Sequence, residues 1–448
     1  MNYYSTNHKA PLASLHDAVV HGLAPDRGLY MPERIKTLPR EFFDHIEELS
    51  FQEIAFKVAC AFFGEDIPED DLRAIVYDTL AFETPLVRVT DNIYALELFH
   101  GPTLAFKDVG ARFMARLLRY LVAQDAQKKG QPLKAGHNGA AVNVLVATSG
   151  DTGSAVANGF LGVDGIHVYV LYPKGKVSPI QECQFTTLGQ NITAIEVDGV
   201  FDDCQALVKS AFMDTTLNKE MMLTSANSIN VARFLPQAFY YFNAYAQARR
   251  LHLIDNGRKL TVCVPSGNFG NITAGLFGKR MGLPIQHFIA ANNANDVFFQ
   301  YLKTGEYHPQ PSKQTLANAM DVGAPSNFAR VTDLYNNSWE AIRKDISGAT
   351  YTDEQIRKAM RQCFEENGYV LDPHGACGYQ ALREQLSPDE TGIFLETAHP
   401  AKFKEKVDAI IGQDIAIPER LQAFMKGEKQ RVEMPNDFEA FKDFLLAQ

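Results

Sequence analysis

The chain has 448 residues, 46% of them apolar and 21% charged, with 43 Lys and Arg against 53 Asp and Glu for a formal net charge of −10. That length accommodates two or three domains with a sizeable core, and the composition excludes wholesale disorder, a fibrous chain and a disulfide-stapled miniprotein. The acidic balance gives no long-range attraction to nucleic acid or anionic lipid, the cysteines form no CxxC pair to hold zinc, and no window approaches the ~18 consecutive apolar residues of a membrane span.

The opening, MNYYSTNHKAPLASLHDAVVHG, has neither the apolar core of a signal peptide nor an arginine-rich amphipathic pattern, so a cytoplasmic protein with reduced thiols is expected. Residues 1–92 read as an N-terminal helical segment, with Phe43, Ile46, Ile54 and Phe56 at helical spacing and DLRAIVYDTLAFE continuing the pattern. IYALELF (93–99) reads as a strand, broken by HGPT. A helix starts near Asp108, where Val109, Phe113, Leu117, Tyr120 and Leu121 recur every three or four residues and Met114 and Leu118 widen the buried face. The stretch from Gln124 to Asn143, with Lys128, Lys129 and Lys134 among Gly and Pro, reads as a long solvated loop.

Beyond it the chain alternates: VNVLVAT strand, SGDTG loop, SAVANGFLG helix, IHVYVLYP strand, NITAIEV strand, then a helix from Asp202 through Phe212. LTVCVP, SGNFG, NITAGLFGKRMG and IQHFIAAN repeat that order, which belongs to parallel sheets with crossover helices. The expected fold class is α/β, in two lobes: a smaller one over 110–230, and a larger one from 93–109 and 231–448 with C-terminal helices. Residues 301–325, polar and proline-bearing, read as a surface excursion, and GIFLETA as a late apolar strand.

Two loops share one device. Ser149-Gly150-Asp151-Thr152-Gly153 and Ser266-Gly267-Asn268-Phe269-Gly270 each follow an apolar strand and open a helix, so each combines a tight turn with the unsatisfied N–H groups of a helix start, which suits an anion. A lone loop of this kind is often only a turn; two in one chain favour two anion sites. Asp151 is ill placed in a phosphate cradle, so the neutral stretch Gly267 to Asn271 is assigned the phosphate, and Thr148, Ser149 and Thr152 a smaller anion such as a carboxylate. Lys107, between Phe106 and a buried helix, is placed to have a lowered amine pKa and to form a Schiff base. The tripeptide alone favours a lysine reaching solvent or pairing with Asp108; the two anion loops beside it are what turn the reading towards chemistry. An aldehyde cofactor with a phosphate and an amino-acid substrate would use all three elements.

FHGPTLAFKD, ATSGDTGSA, PSGNFGN and ETAHPAKF, with GLAPDRGLYMPE near the start, resemble in kind and order the signatures of the threonine synthase family, from about residue 20 to about residue 405. These are pyridoxal-phosphate enzymes of the tryptophan-synthase β-like fold (fold type II), with the cofactor between two lobes. The resemblance implies a carbon–oxygen lyase that turns O-phospho-L-homoserine and water into L-threonine and phosphate, the last step of threonine biosynthesis. It implies Lys107 as cofactor anchor and base, Gly267, Asn268, Phe269, Gly270 and Asn271 around the cofactor phosphate, and Thr397 at its pyridine nitrogen. Thr148, Ser149, Gly150, Asp151, Thr152 and Gly153 would take the substrate carboxylate, Asp151 standing where related enzymes of the fold have Asn. The leaving phosphate needs a cationic clamp, for which Arg233 and Lys402 are candidates, though each also fits an ordinary salt bridge. His374 reads as structural and His399 as a residue that positions Thr397. A small-molecule substrate, no metal, no nucleic acid, no membrane, a monomer or homodimer, and no activation by S-adenosylmethionine complete the expectation. Another pyridoxal-phosphate lyase, such as a serine or threonine dehydratase, and a catalytically silent metabolite-binding relative stay open; neither loop has the GxGxxG spacing of a nucleotide-binding oxidoreductase.

Overall fold

A computed structural model describes residues 1–129 and 140–448, which form two compact units, each with its own sheet. The first contains Met1 and residues 31–106 and 234–416; the second contains residues 2–30, 107–233 and 417–448.

In the first unit the strands Ile346–Thr350, His287–Asn292, Lys259–Pro265, Glu390–Glu396 and Ile93–Glu97 run parallel in that order, and Leu86–Arg88 closes the edge antiparallel. Lys259–Pro265 and Glu390–Glu396 are buried along nearly their whole length, the pattern of strands covered on both faces. They pair with Cys263 opposite Phe394, so their C-terminal ends lie side by side, the edge where open α/β sheets bind ligands. Helix Pro373–Gln385 contributes Ala376, Cys377, Tyr379 and Leu382 to the core with Phe394 and Cys263.

In the second unit all five strands are parallel, in the order Val432–Pro435, Ile192–Asp198, Ile166–Pro173, Val142–Ala147, Leu223–Ser225. Their core holds Leu145, Tyr169, Leu171, Ile195 and Val197 with Met434, Phe441 and Leu445 from the chain's last residues. Arg431 Nε meets Glu196 Oε2 at 3.0 Å and Lys442 Nζ meets Asp214 Oδ2 at 2.8 Å, tying that segment down further.

The α/β class with mainly parallel sheets is the one expected from sequence. Three local readings need correction. The helix Lys107–Lys129 takes in the first part of the supposed loop after Gln124, including Lys128; Lys134 lies outside the described residues. Strands Ile346–Thr350 and Val432–Pro435 were not foreseen. The polar excursion is only half a surface loop, since Thr315, Leu316, Ala317 and Met320 are buried. Gly267 makes room for it: a Cβ there would stand 2.8 Å from Ala319 O and Met320 Cα. Among the described residues no helix is long and apolar enough to cross a membrane, and no cluster of three or more His, Cys, Asp or Glu is placed to hold a metal ion.

Candidate active site

In the first unit the turn Ser266 to Asn271 joins the strand Lys259–Pro265 to the helix Gly270–Arg280. Phe269 adopts the left-handed conformation at φ 63°, which costs a non-glycine residue roughly 1–2 kcal/mol. Its ring is held by Phe298, centroids 4.5 Å apart. A left-handed residue next to a helical one is the pairing that cups successive N–H groups around an anion. Asn271 spends its amide inside the turn: Nδ2 donates to Pro265 O at 2.8 Å and Oδ1 accepts from Ile272 N–H at 2.9 Å. Asn268 Oδ1 accepts from Ser326 N–H at 2.6 Å. The Asn271 side chain and Asn268 Oδ1 therefore shape the turn, which also offers main-chain donors. Among the described residues the N–H groups of Gly267, Phe269, Gly270 and Asn271 meet no acceptor. Four such donors at a helix start fit a phosphate.

Beside this turn, Thr397 follows the strand Glu390–Glu396. Its carbonyl accepts from Phe106 N–H at 2.8 Å, Ala398 bridges Ala105, and His399 N–H donates to Leu104 O at 3.0 Å. Lys402, 1% exposed, donates from Nζ to Thr103 O at 2.9 Å, and the Tyr240 hydroxyl donates to Phe106 O. Thr103 to Phe106 is thereby fixed, and Lys107 is the next residue, the first of the helix Lys107–Lys129. The Thr397 hydroxyl meets no partner among the described residues and is not sealed in the core, which suits a bond to a ring nitrogen.

His399 caps the turn that carries Lys402, its Nδ1 accepting from Ala401 N–H at 3.1 Å. Burial, joined by the charges of His100 and Lys402 and opposed by Glu97 and Asp372, lowers its imidazole from the ordinary 6.5 to about 4. The folded protein therefore holds it neutral, so its contribution to stability is complete above pH 6.5 and is lost as pH falls towards 4. Between pH 7 and pH 4.5 the unfolding free energy from urea titrations should fall further in the wild type than in His399→Asn, by roughly 2 kcal/mol. Parallel profiles would remove His399 from the acid response.

In the second unit Thr148 builds the other turn. Its Oγ1 accepts from Gly150 N–H at 2.9 Å and Gly153 N–H at 2.8 Å and donates to Gly150 O at 3.1 Å. One proton and two lone pairs are then all engaged, so Thr148 holds the turn instead of meeting an anion directly, a correction to the sequence reading. The N–H groups of Ser149 and Thr152 meet no acceptor among the described residues. Gly150 lies at φ 145°, and the Gln181 amide occupies the space where a Cβ would stand, 2.7 Å away. From there Gln181 Nε2 donates to Asp151 Oδ1 at 2.9 Å, fixing a carboxylate that is 5% exposed. Asn227 Nδ2 reaches Ala147 O at 3.3 Å, bringing the 225–233 segment beside this turn. Arg233, 2% exposed, rests its carbonyl against Gly110, where a Cβ would stand only 2.4 Å from it. This is one turn along the helix that Lys107 opens.

Sequence reasoning missed Gln181, Ser326, Asn327 and Arg330, all of which support these turns. None lies in a glycine-rich loop; the available signals were Ser178-Pro179 as a helix start and Pro325-Ser326-Asn327 as a turn. His374 is structural, as expected: Nδ1 bonds to Asp372 Oδ1 and Nε2 accepts from Ala319 N–H at 3.1 Å.

The family described as pyridoxal-phosphate dependent enzyme matches residues 78–397, threonine synthase N terminus matches 2–80, and threonine synthase, C-terminal, matches 375–445. Threonine synthase of Haemophilus influenzae is 44% identical over 447 residues, covering 100% of both chains. The crystal structure of threonine synthase from Escherichia coli superposes with a TM-score of 0.90 at 42% identity, covering 100% of this chain and 99% of that one. The pyridoxal-phosphate-bound threonine synthase from Brucella melitensis gives 0.89 at 34% identity, with 100% and 99% covered. With three family matches along its length and full-length relatives that share its fold, the chain belongs to the threonine synthase family of pyridoxal-phosphate-dependent enzymes.

Proposed function

We propose that the chain converts O-phospho-L-homoserine and water into L-threonine and phosphate with the residues assigned below. The observation that carries the assignment is a pair of strand-to-helix turns with unspent N–H donors, together with a lysine one residue beyond the backbone pairing to Thr397. Gly267, Phe269, Gly270 and Asn271 would hold the phosphate of pyridoxal 5′-phosphate through their main chain, with Asn268 keeping the turn in shape. Thr397 Oγ1 would bond to the ring nitrogen and, being neutral, leave it less protonated than a carboxylate would. When bound, the cofactor supplies a sink for negative charge beside the amine-bearing carbon.

Lys107 would hold the cofactor at its side-chain nitrogen and, as a free amine, would be the base that takes the Cα proton and moves protons at Cβ and Cγ. The Cγ–O bond breaks as phosphate leaves, Cβ gives up one proton and Cγ gains one, Cα regains its own, and the water hydroxyl bonds to Cβ while water's other proton ends on the released phosphate. Ser149 and Thr152, on the turn that Thr148, Gly150 and Gly153 build and beside the Asp151 carboxylate that Gln181 fixes, would bind the substrate carboxylate through N–H groups. Arg233 would neutralise the leaving phosphate, with Lys402 adding positive charge at the Thr103 segment. All six cysteines are free thiols, which fits a reducing cytoplasm.

The test is a paired assay of phosphate release and threonine formation from O-phospho-L-homoserine. Equal yields support the reading, and phosphate without threonine would reduce it to an elimination. Arg233→Lys keeps the charge but loses the planar fork; it should lower kcat by about 10- to 100-fold with an unchanged cofactor absorption band. A variant with wild-type kcat would move the clamp elsewhere.

A further inference from the structure

We infer that Arg330 is a positioning residue for the phosphate-binding turn, acting through Asn327 and Asn268 on the Phe269 N–H donor. The inference rests on the reading that this turn holds the cofactor phosphate.

Arg330 is wholly buried on the helix Phe328–Leu334, with its guanidinium over the Phe234 ring, 4.0 Å from the centroid. Burial lowers it from 12.5 to about 9, which leaves it charged at neutral pH. Its Nη1 donates to Asn327 Oδ1 at 2.7 Å. Asn327, also wholly buried, donates from Nδ2 to Asn268 O at 2.9 Å and from its main-chain N–H to the same oxygen at 3.3 Å.

Each link fixes the next. An arginine offers only donors, so its bond to Asn327 selects the rotation of that amide in which Oδ1 faces the guanidinium and Nδ2 faces Asn268. The opposite rotation would set two oxygens against each other. The amide then pins the Asn268 carbonyl. A trans peptide is planar, so its C=O and the following N–H point in opposite directions, and fixing Asn268 O fixes the direction of Phe269 N–H. The N–H belongs to the left-handed residue at the centre of the turn, where a small peptide rotation would take a donor away from a phosphate.

A core residue that merely filled space over Phe234 would affect folding without distinguishing ligands with a phosphate from those without one. The experiment therefore titrates the cofactor-free wild type, Arg330→Met, Arg330→Lys and Asn327→Ala with pyridoxal 5′-phosphate and with pyridoxal, followed by visible absorption. Arg330→Met and Asn327→Ala should each bind pyridoxal 5′-phosphate about tenfold or more weakly, the loss of a charge-assisted hydrogen bond, and bind pyridoxal as the wild type does. The ³¹P resonance of the bound cofactor should move in both, and Arg330→Lys, which keeps a donor, should recover part of the affinity. If Arg330→Met does not fold, Asn327→Ala decides alone. A folded variant whose preference for the phosphorylated ligand stays within twofold of wild type overturns the inference. A wild type that shows no such preference overturns the phosphate-turn reading and the inference with it.

Discussion

Lys107→Ala should fold, lose the visible absorption of the anchored cofactor and form threonine at least about a thousandfold more slowly, because base and covalent anchor disappear together. The fold has little stake in the side chain: Lys107 is half-buried at the first position of its helix, and the packing behind it is carried by Val109, Phe113, Met114 and Leu117, all wholly buried. Alanine is the best helix former, so the backbone keeps its course. The turn at Gly267 to Asn271 and the hydroxyl of Thr397 lie on other elements and should still take the cofactor. Thermal unfolding near the wild-type midpoint, together with absent phosphate release and threonine formation, is the expected pair of results. Lys107→Arg, charged but unable to serve as anchor or neutral base, should be equally inactive. Wild-type turnover in either protein would remove Lys107 from the chemistry.

Thr148→Val should cost about 2–4 kcal/mol of stability and raise the substrate KM about tenfold or more, although the two side chains are nearly the same shape. Valine leaves the N–H groups of Gly150 and Gly153 without their acceptor in a site where Thr148 is 1% exposed, and an unpaired buried donor costs roughly 1–3 kcal/mol. The methyl group of Thr148 also matters, since it fills the space against Gly153, where a Cβ would stand 2.5 Å away. Thr148→Ser restores the acceptor and loses only that methyl, about 1 kcal/mol. Urea midpoints and KM values for the two variants decide the matter: serine should recover most of both. Equal behaviour would mean that the hydroxyl does not hold the turn.

The middle of the chain was legible because long apolar runs are punctuated by glycine-rich turns, a pattern that few arrangements besides parallel strands with crossover helices satisfy. Ile346–Thr350 and Val432–Pro435 escaped because they bury only two residues and one residue respectively; an edge strand is recruited by its neighbour's hydrogen bonds more than by its own composition. Periodicity also assigns a segment to an element without saying which core receives it, so nothing in NYYSTNH (2–8) or in the last helix announces that both belong with residues 107–233. At the site, glycine spacing found the two turns, but it could not divide labour within them. A polar side chain in such a loop can serve the ligand or the loop, and Thr148, Asn268 and Asn271 serve the loop. The N–H groups of Gly267, Phe269, Gly270, Asn271, Ser149 and Thr152 that meet no acceptor among the described residues are main-chain donors, which every residue except proline possesses and which sequence therefore does not distinguish.

Val432–Pro435 gives the sheet of the second unit its outer edge, and that placement bears on how the protein is made. On the ribosome Ile192–Asp198 emerges long before its partner, and until residue 435 has left the exit tunnel it carries an unpaired row of backbone donors and acceptors, an open template for other strands. The apolar groups that later cover its flank, Met434, Phe441 and Leu445, arrive at the same late moment. This half of the molecule cannot finish folding until residues 432–445 have emerged and docked. Through that interval the nascent chain presents an open strand edge and an uncovered apolar flank, where aggregation is the hazard and chaperone protection the remedy.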